Sequence, residues 1–137
     1  MPGETHLARL LQSMTPQLNP GQYVFCCLPA EQDCNALQPI ASLREGEGLS
    51  LILARDTADA HGLSYDYVAA WITLQVHSSL AAVGLTAAFS AALAQAGISC
   101  NVVAGFHHDH IFVPIERAER ALSTLRALSA ASLPETA

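Results

Sequence analysis

The chain has 137 residues, a formal net charge of −6 and no lysine, its cationic side chains being Arg9, Arg44, Arg55, Arg117, Arg120 and Arg126. That balance argues against nucleic acid and anionic membrane surfaces as partners, and 51% hydrophobic against 13% charged residues excludes a disordered chain. The length suits one compact domain or two very small ones sharing a core, with a small ligand or another protein chain as the expected partner.

Residues 4–14 carry Leu7, Leu10, Leu11 and Met14 on one helical face. Thr15-Pro16 ends that helix, because the residue before a proline resists the helical region. The apolar run over 22–28 suits a central strand buried on both faces. Residues 29–38 read as a loop with Asp33 and Asn35 as turn formers. Two β-rich segments, 40–45 and 49–54, flank Gly46-Glu47-Gly48, whose glycines permit the positive φ of a hairpin turn. Asp56 is placed to cap a short helix over 57–61, which Gly62 ends.

The second half repeats the plan. In residues 69–76, Ile72, Leu74 and Val76 alternate with Thr73 and Gln75, as in a half-buried strand. Leu85, Phe89 and Leu93 then recur at helical spacing, opened by Gly84 and closed by Gly97 as a left-handed C′ residue. Residues 98–106 read as a strand, His107-His108-Asp109 as the turn, and 110–113 as the antiparallel return that Pro114 ends, having no N–H to donate. A helix over 115–129 follows, and Trp71, Phe89, Phe106 and Phe112 are expected in the core. No closing strand is recognisable in 128–137; a strand such as 23–28 would fill the vacancy and interlock the halves.

The pattern predicts an α+β protein of two ferredoxin-like, βαββαβ-derived units, with antiparallel sheets and helices on one face. The expected boundaries are 1–68 with its leading helix, 69–131, and a flexible tail over 132–137. Cys26, Cys27, Cys34 and Cys100 show no CxxC or zinc spacing, which points to a reducing cytoplasm rather than a disulfide framework. No signal peptide is read at the start. The uncharged stretch between Tyr67 and Phe106 is alanine-rich and interrupted by Gly84, Thr86, Ser90, Gln95 and Gly97, so it reads as a packed helix rather than a membrane span. No P-loop, G-x-S-x-G, HExxH or dinucleotide fingerprint is present, so no enzyme activity and no cofactor are expected.

Two places carry candidate chemistry. Backbone N–H groups around Gly84, Leu85 and Thr86 lie at a helix start, where unpaired donors and the dipole favour a carboxylate. Ser78, Ser79 and Asn101 add neutral groups suited to an α-amino group or a side-chain amide. The plainer reading is that Gly84 shapes a turn and the serines cap the chain locally. The rival is the hairpin His107-His108-Asp109-His110, in which His108, Asp109 and His110 are weak candidates for metal ligands. Three ligands rarely converge within one tight hairpin, and Asp109 serves equally as an Asx-turn residue.

The segments Val76-His77-Ser78-Ser79-Leu80-Ala81-Ala82-Val83-Gly84-Leu85-Thr86, Ala96-Gly97-Ile98-Ser99-Cys100-Asn101-Val102-Val103-Ala104-Gly105 and His108-Asp109-His110-Ile111-Phe112-Val113 resemble an uncharacterised bacterial family with two tandem ACT-like domains. Tyr23-Val24-Phe25-Cys26 and the Arg44-Glu45-Gly46-Glu47-Gly48-Leu49 hairpin extend the resemblance over roughly residues 4–128. The resemblance implies paired ferredoxin-like units akin to the regulatory tail of aspartate kinases. It also implies an amino acid or related ligand held by Ser78, Ser79, Val83, Gly84, Leu85, Thr86 and Asn101, and a homodimer. The competing readings are a metal-binding protein using the histidine hairpin and a ligand-free interaction module.

Overall fold

A computed structural model of the chain describes residues 6–76 and 79–132. The elements run α1 (Leu7–Ser13), β1 (Thr15–Leu18), β2 (Tyr23–Leu28), β3 (Ala41–Glu45), β4 (Gly48–Ala54), α2 (Arg55–Ala60), β5 (Val68–Gln75), α3 (Leu85–Gln95), β6 (Asn101–Ala104), β7 (Asp109–Pro114) and α4 (Ala118–Ala131). Short 3-10 turns occupy Asn35–Leu37 and Ile115–Arg117. Contacts divide the chain into Pro20–Ala70 and a second unit assembled from Met1–Asn19 and Trp71–Ala137.

In Pro20–Ala70 the strands lie in the order β5, β2, β4, β3, with β5 contributing Val68 and Ala69 opposite Val24 and Tyr23. β2 pairs along its whole length with β4, Tyr23 opposite Ala54 and Leu28 opposite Leu49. The expectation that β2 is buried on both faces is corrected: Val24, Cys26 and Leu28 are buried, while Tyr23 and Phe25 are half-buried and Cys27 is exposed. Alternation decides this, since β2 turns only one set of side chains toward the core of Leu37, Leu49, Leu51, Leu53 and Ala58. The β3–β4 hairpin closes with Glu45 opposite Gly48 around the two-residue turn Gly46-Glu47. Of its two glycines only Gly48 has positive φ, +152°, and a Cβ there would meet the Leu28 carbonyl oxygen at 2.5 Å. Asp56 does not cap α2; the N-cap is Ala54, and Asp56 lies in the first turn, where its charge suits the macrodipole.

In the other unit the order is β1, β5, β7, β6. The vacancy in this sheet is filled by β1, not by residues 23–28: Thr15 pairs with Gln75, Pro16 with Leu74, Gln17 with Thr73 and Leu18 with Ile72. Pro16 is tolerated because β1 is an edge strand, bonded on one side only. Asn19 then ties the strand end down, its backbone N–H donating to the Trp71 carbonyl at 2.9 Å.

Helix α3 ends as its glycine predicts. Gly97 has φ +76°, its N–H donates to the Ala94 carbonyl at 3.0 Å, and the Ile98 N–H donates to the Leu93 carbonyl at 2.9 Å. This is the paired 5→2 and 6→1 closure of a Schellman motif, with Leu93 and Ile98 both buried. Leu10, Phe89, Leu93, Ile72, Leu74, Ile111, Val113 and Leu125 are buried. Phe112 is also fully buried, but Phe106, expected in the core, is 81% exposed. The strand over 98–106 is shorter than its composition suggests: β6 stops at Ala104, and the Gly105 N–H bonds to the His108 carbonyl at 2.9 Å, which puts Phe106 at the tip of the turn. Among the described residues no helix is long and apolar enough to cross a membrane.

Candidate functional site

The start of α3 is built on Gly84, the N-cap residue, with φ +103°. Its carbonyl accepts the first helical bond, from the Ala88 N–H at 2.9 Å. The N–H groups of Leu85, Thr86 and Ala87 therefore have no acceptor within the helix, and among the described residues no side chain caps them. Val83 is 84% exposed and Thr86 is exposed, whereas Leu85 turns its side chain into the interior and offers only its backbone. Ser79 is spent locally: its Oγ accepts from the Ala81 N–H at 3.1 Å and its carbonyl from the Ala82 N–H at 3.0 Å. Ser78 lies outside the described residues.

Gly84 also has a packing role. A Cβ at this position would stand 3.1 Å from a methyl of Leu7, so α1 closes one side of the α3 start and leaves the side of Val83 and Thr86 open. Asn101 is exposed, but it does not converge on this point. His108 Nδ1 lies 3.3 Å from the Val76 carbonyl oxygen, which places the β6–β7 turn at the end where β5 leaves the sheet. Asn101 opens β6 three residues before that turn, about 10 Å further along the strand.

The histidine hairpin is organised as a hydrogen-bond node. His110 Nδ1 accepts from the Trp71 indole Nε1–H at 3.0 Å and lies 3.2 Å from Thr73 Oγ1. Asn19 Nδ2 donates to Thr73 Oγ1 at 2.9 Å and to the Trp71 carbonyl at 3.2 Å. The indole N–H can only donate, so Nδ1 is the bare nitrogen of the neutral ring and Nε2 carries the hydrogen; the Thr73 hydroxyl shares the same lone pair of Nδ1. Burial, aided by the neighbouring His108, pushes the His110 pKa down against the opposing pull of Asp109. Burial pushes Asp109 up, only partly offset by His110. Among the described residues no three histidine, cysteine or acidic side chains are grouped to hold a metal. Nothing in the histidine spacing points to this node. Its usable signal is the indole, because a partly buried Trp needs an acceptor for its N–H and Trp71 shares a strand face with Thr73.

A second polar cluster escaped the sequence reading. Arg55, at the β4–α2 junction, donates from Nε to the Tyr65 hydroxyl at 2.9 Å and from Nη1 to Gln22 Oε1 at 2.8 Å. Tyr65 donates onward to Asp59 Oδ1 at 2.7 Å. The Tyr65 bond and the neighbouring acidic groups hold the Arg55 pKa above its ordinary value. Of these residues Arg55 and Gln22 line a cavity of about 410 Å3 formed by residues 20–23 and 54–56. The three partners of Arg55 are scattered along the chain, and no spacing connects them.

ACT domain family models match residues 2–70 and 67–127. No curated protein matches the chain. A Vibrio cholerae protein of unknown function, described as a possible transport protein, is 51% identical in sequence, with 90% of this chain and 95% of that chain covered and a TM-score of 0.82. An Agrobacterium tumefaciens protein is 20% identical over 85% of this chain and 89% of its own, with a TM-score of 0.67. The ligand-free regulatory subunit of aspartate kinase from Thermus thermophilus shares the fold at 11% identity, with a TM-score of 0.61 over 85% and 96% of the two chains.

Proposed function

Because the chain belongs to the ACT-domain family, a family of regulatory ligand-binding domains, we propose that it is a non-catalytic sensor that binds an amino acid at the start of α3. The observation that carries this reading is the helix N-terminus at Gly84, where the N–H groups of Leu85, Thr86 and Ala87 have no acceptor among the described residues and stand beside the exposed Val83 and Thr86. Such a terminus concentrates donors and the positive end of the dipole on a carboxylate. Asn101, on the edge strand β6, serves a second copy of the chain in this reading, since within one chain it stands too far along the strand to reach the same ligand. A homodimer is therefore part of the proposal, and sedimentation at high concentration tests it. The four cysteines are free, which suits the reducing cytoplasm we assign.

The test is calorimetric titration with the twenty amino acids, supported by thermal shift. A ligand at about one hundred times its dissociation constant adds roughly 2.7 kcal/mol of stability. Val83→Glu places a carboxylate beside the donors at an exposed position and removes the response without unfolding the chain. Gly84→Val also removes it, at a cost in stability because φ +103° strains any side chain. Binding that survives Val83→Glu unchanged refutes the site. The metal reading gains nothing from the geometry: His110 Nδ1 already faces the Trp71 N–H, and His108 Nδ1 lies at a backbone carbonyl.

A further inference from the structure

Arg55 is held more firmly than a surface arginine needs to be. Its guanidinium is fixed on two sides by Tyr65 and Gln22, Tyr65 is itself anchored on Asp59, and the Arg55 Cζ stands 5.7 Å from the Tyr65 ring centroid. A guanidinium has five N–H donors. Two are engaged, and Nη2 has no hydrogen-bond partner among the described residues. The pre-set fork borders a cavity of about 410 Å3, within the range of small-molecule sites. The cavity beside Arg126 and β1, at about 280 Å3, falls short of that range.

The charges select the ligand. Asp56 lines the same cavity, and Asp59 stands behind Tyr65. One arginine against two carboxylates, in a chain of net charge −6, repels phosphate and dicarboxylates. A molecule whose own charges cancel meets no such penalty: its carboxylate finds the oriented guanidinium and its ammonium finds Asp56. We propose that this cavity binds the zwitterionic head of a free α-amino acid, with the carboxylate on Arg55 and the ammonium on Asp56. The site lies wholly within Pro20–Ala70 and does not depend on the start of α3.

Amide chemical shifts of the full chain, titrated with glycine, acetate and inorganic phosphate, test it. Glycine shifts the amides of Gly21, Gln22 and Asp56 saturably; acetate, lacking the ammonium, binds about tenfold more weakly, and phosphate more weakly still. Arg55→Ala abolishes the glycine response, and Arg55→Lys, which keeps the charge but not the fork, weakens it by about tenfold. Asp56→Asn, at an exposed position, weakens glycine while strengthening acetate, a crossed effect that a purely structural tie does not produce. Val83→Glu leaves this response intact, whereas glycine bound at α3 shifts Leu85, Thr86 and Ala87 instead and is sensitive to that variant. The proposal is overturned if phosphate binds as well as glycine, or if the Gly21 and Gln22 shifts persist in Arg55→Ala. Should Arg55→Ala fail to fold, an unchanged glycine-to-acetate ratio in Asp56→Asn overturns it just as well.

Discussion

Replacing His110 by leucine tests the node that joins β5, β7 and the end of β1. The substitution takes away the acceptor of the Trp71 indole N–H, at 3.0 Å, and the neighbour of the Thr73 hydroxyl, at 3.2 Å. A buried donor left without a partner costs about 1–3 kcal/mol. Trp71 is half-buried and regains some water, whereas Thr73 is only 8% exposed, so the expected loss at neutral pH is about 2 kcal/mol. The pH dependence supplies a second readout. Burial lowers the His110 pKa in the folded chain, so below the ordinary value the unfolded chain binds more protons. The stability held through neutral His110 is complete above a pH of about 6.5 and is lost as pH falls through the lower folded value. The leucine variant has no such loss, and the gap between it and the parent narrows as pH falls below about 6.5. Urea denaturation followed by far-ultraviolet circular dichroism, a probe that survives replacement of Trp71, the chain's one tryptophan, measures both effects. In a Trp71→Phe background the cost of His110→Leu falls by about 1 kcal/mol, the coupling expected of one such hydrogen bond. A gap that stays constant across the pH range, or no coupling to Trp71, refutes the reasoning.

Phe89→Ala empties a fully buried site and costs about 3–5 kcal/mol in the same denaturation assay. Phe106→Ala, at the exposed tip of the β6–β7 turn, changes stability by no more than about 0.5 kcal/mol. Gly48→Ala destabilises by more than about 1 kcal/mol, because its Cβ would meet the Leu28 carbonyl at 2.5 Å, while Gly46→Ala meets nothing within 4 Å and stays within about 0.5 kcal/mol. Burial pushes the Cys100 thiol up to about 11, leaving about one part in a thousand as thiolate at pH 8. Mass spectrometry of alkylated native chain therefore finds the exposed Cys27 modified well before Cys100.

What the sequence made legible was periodic or punctuated. β5 and α3 were readable as elements because Gly97 stops a helix by a mechanism that needs only itself and because Ile72, Leu74 and Val76 declare a buried face by alternation; the half-buried reading of β5 fails on its other face, where Thr73 is buried as well. β2 misled because adjacent apolar residues look alike from within the chain, and only the pairing shows that Cys27 faces outward. Phe106 misled for a related reason: aromatic character suggests burial, but the Gly105 to His108 bond turns the chain before Phe106 can join the strand. At the candidate site, Gly84 as a helix start was legible; the methyls of Leu7 beside it and the fixed geometry of Arg55 arise from residues distant in sequence.

β1 was the least legible element, and it determines how the fold is completed. Thr15 to Leu18 is four residues with a proline in second place, a composition that reads as the end of a helix. It becomes a strand because the free edge of β5 supplies partners for its backbone, a tertiary bond that outweighs local preference. The partners, Ile72 to Gln75, lie more than fifty residues later, and all of Pro20–Ala70 intervenes between the two strands. Long-range pairing of this kind closes late, since the loop entropy must be met before the contacts repay it. Within Pro20–Ala70 the β3–β4 hairpin closes only a two-residue turn and has no such delay, although Val68 and Ala69 must still return to Val24 and Tyr23. The expected order is that the β3–β4 hairpin forms early, while the unit carrying Gly84 is complete only when Asn19 has reached Trp71 and Thr73. Asn19→Ala therefore slows the folding phase reported by Trp71 fluorescence if β1 docks in the transition state, and accelerates only unfolding if it docks afterwards. Stopped-flow measurement of both limbs separates the two, and a late-docking β1 requires the second.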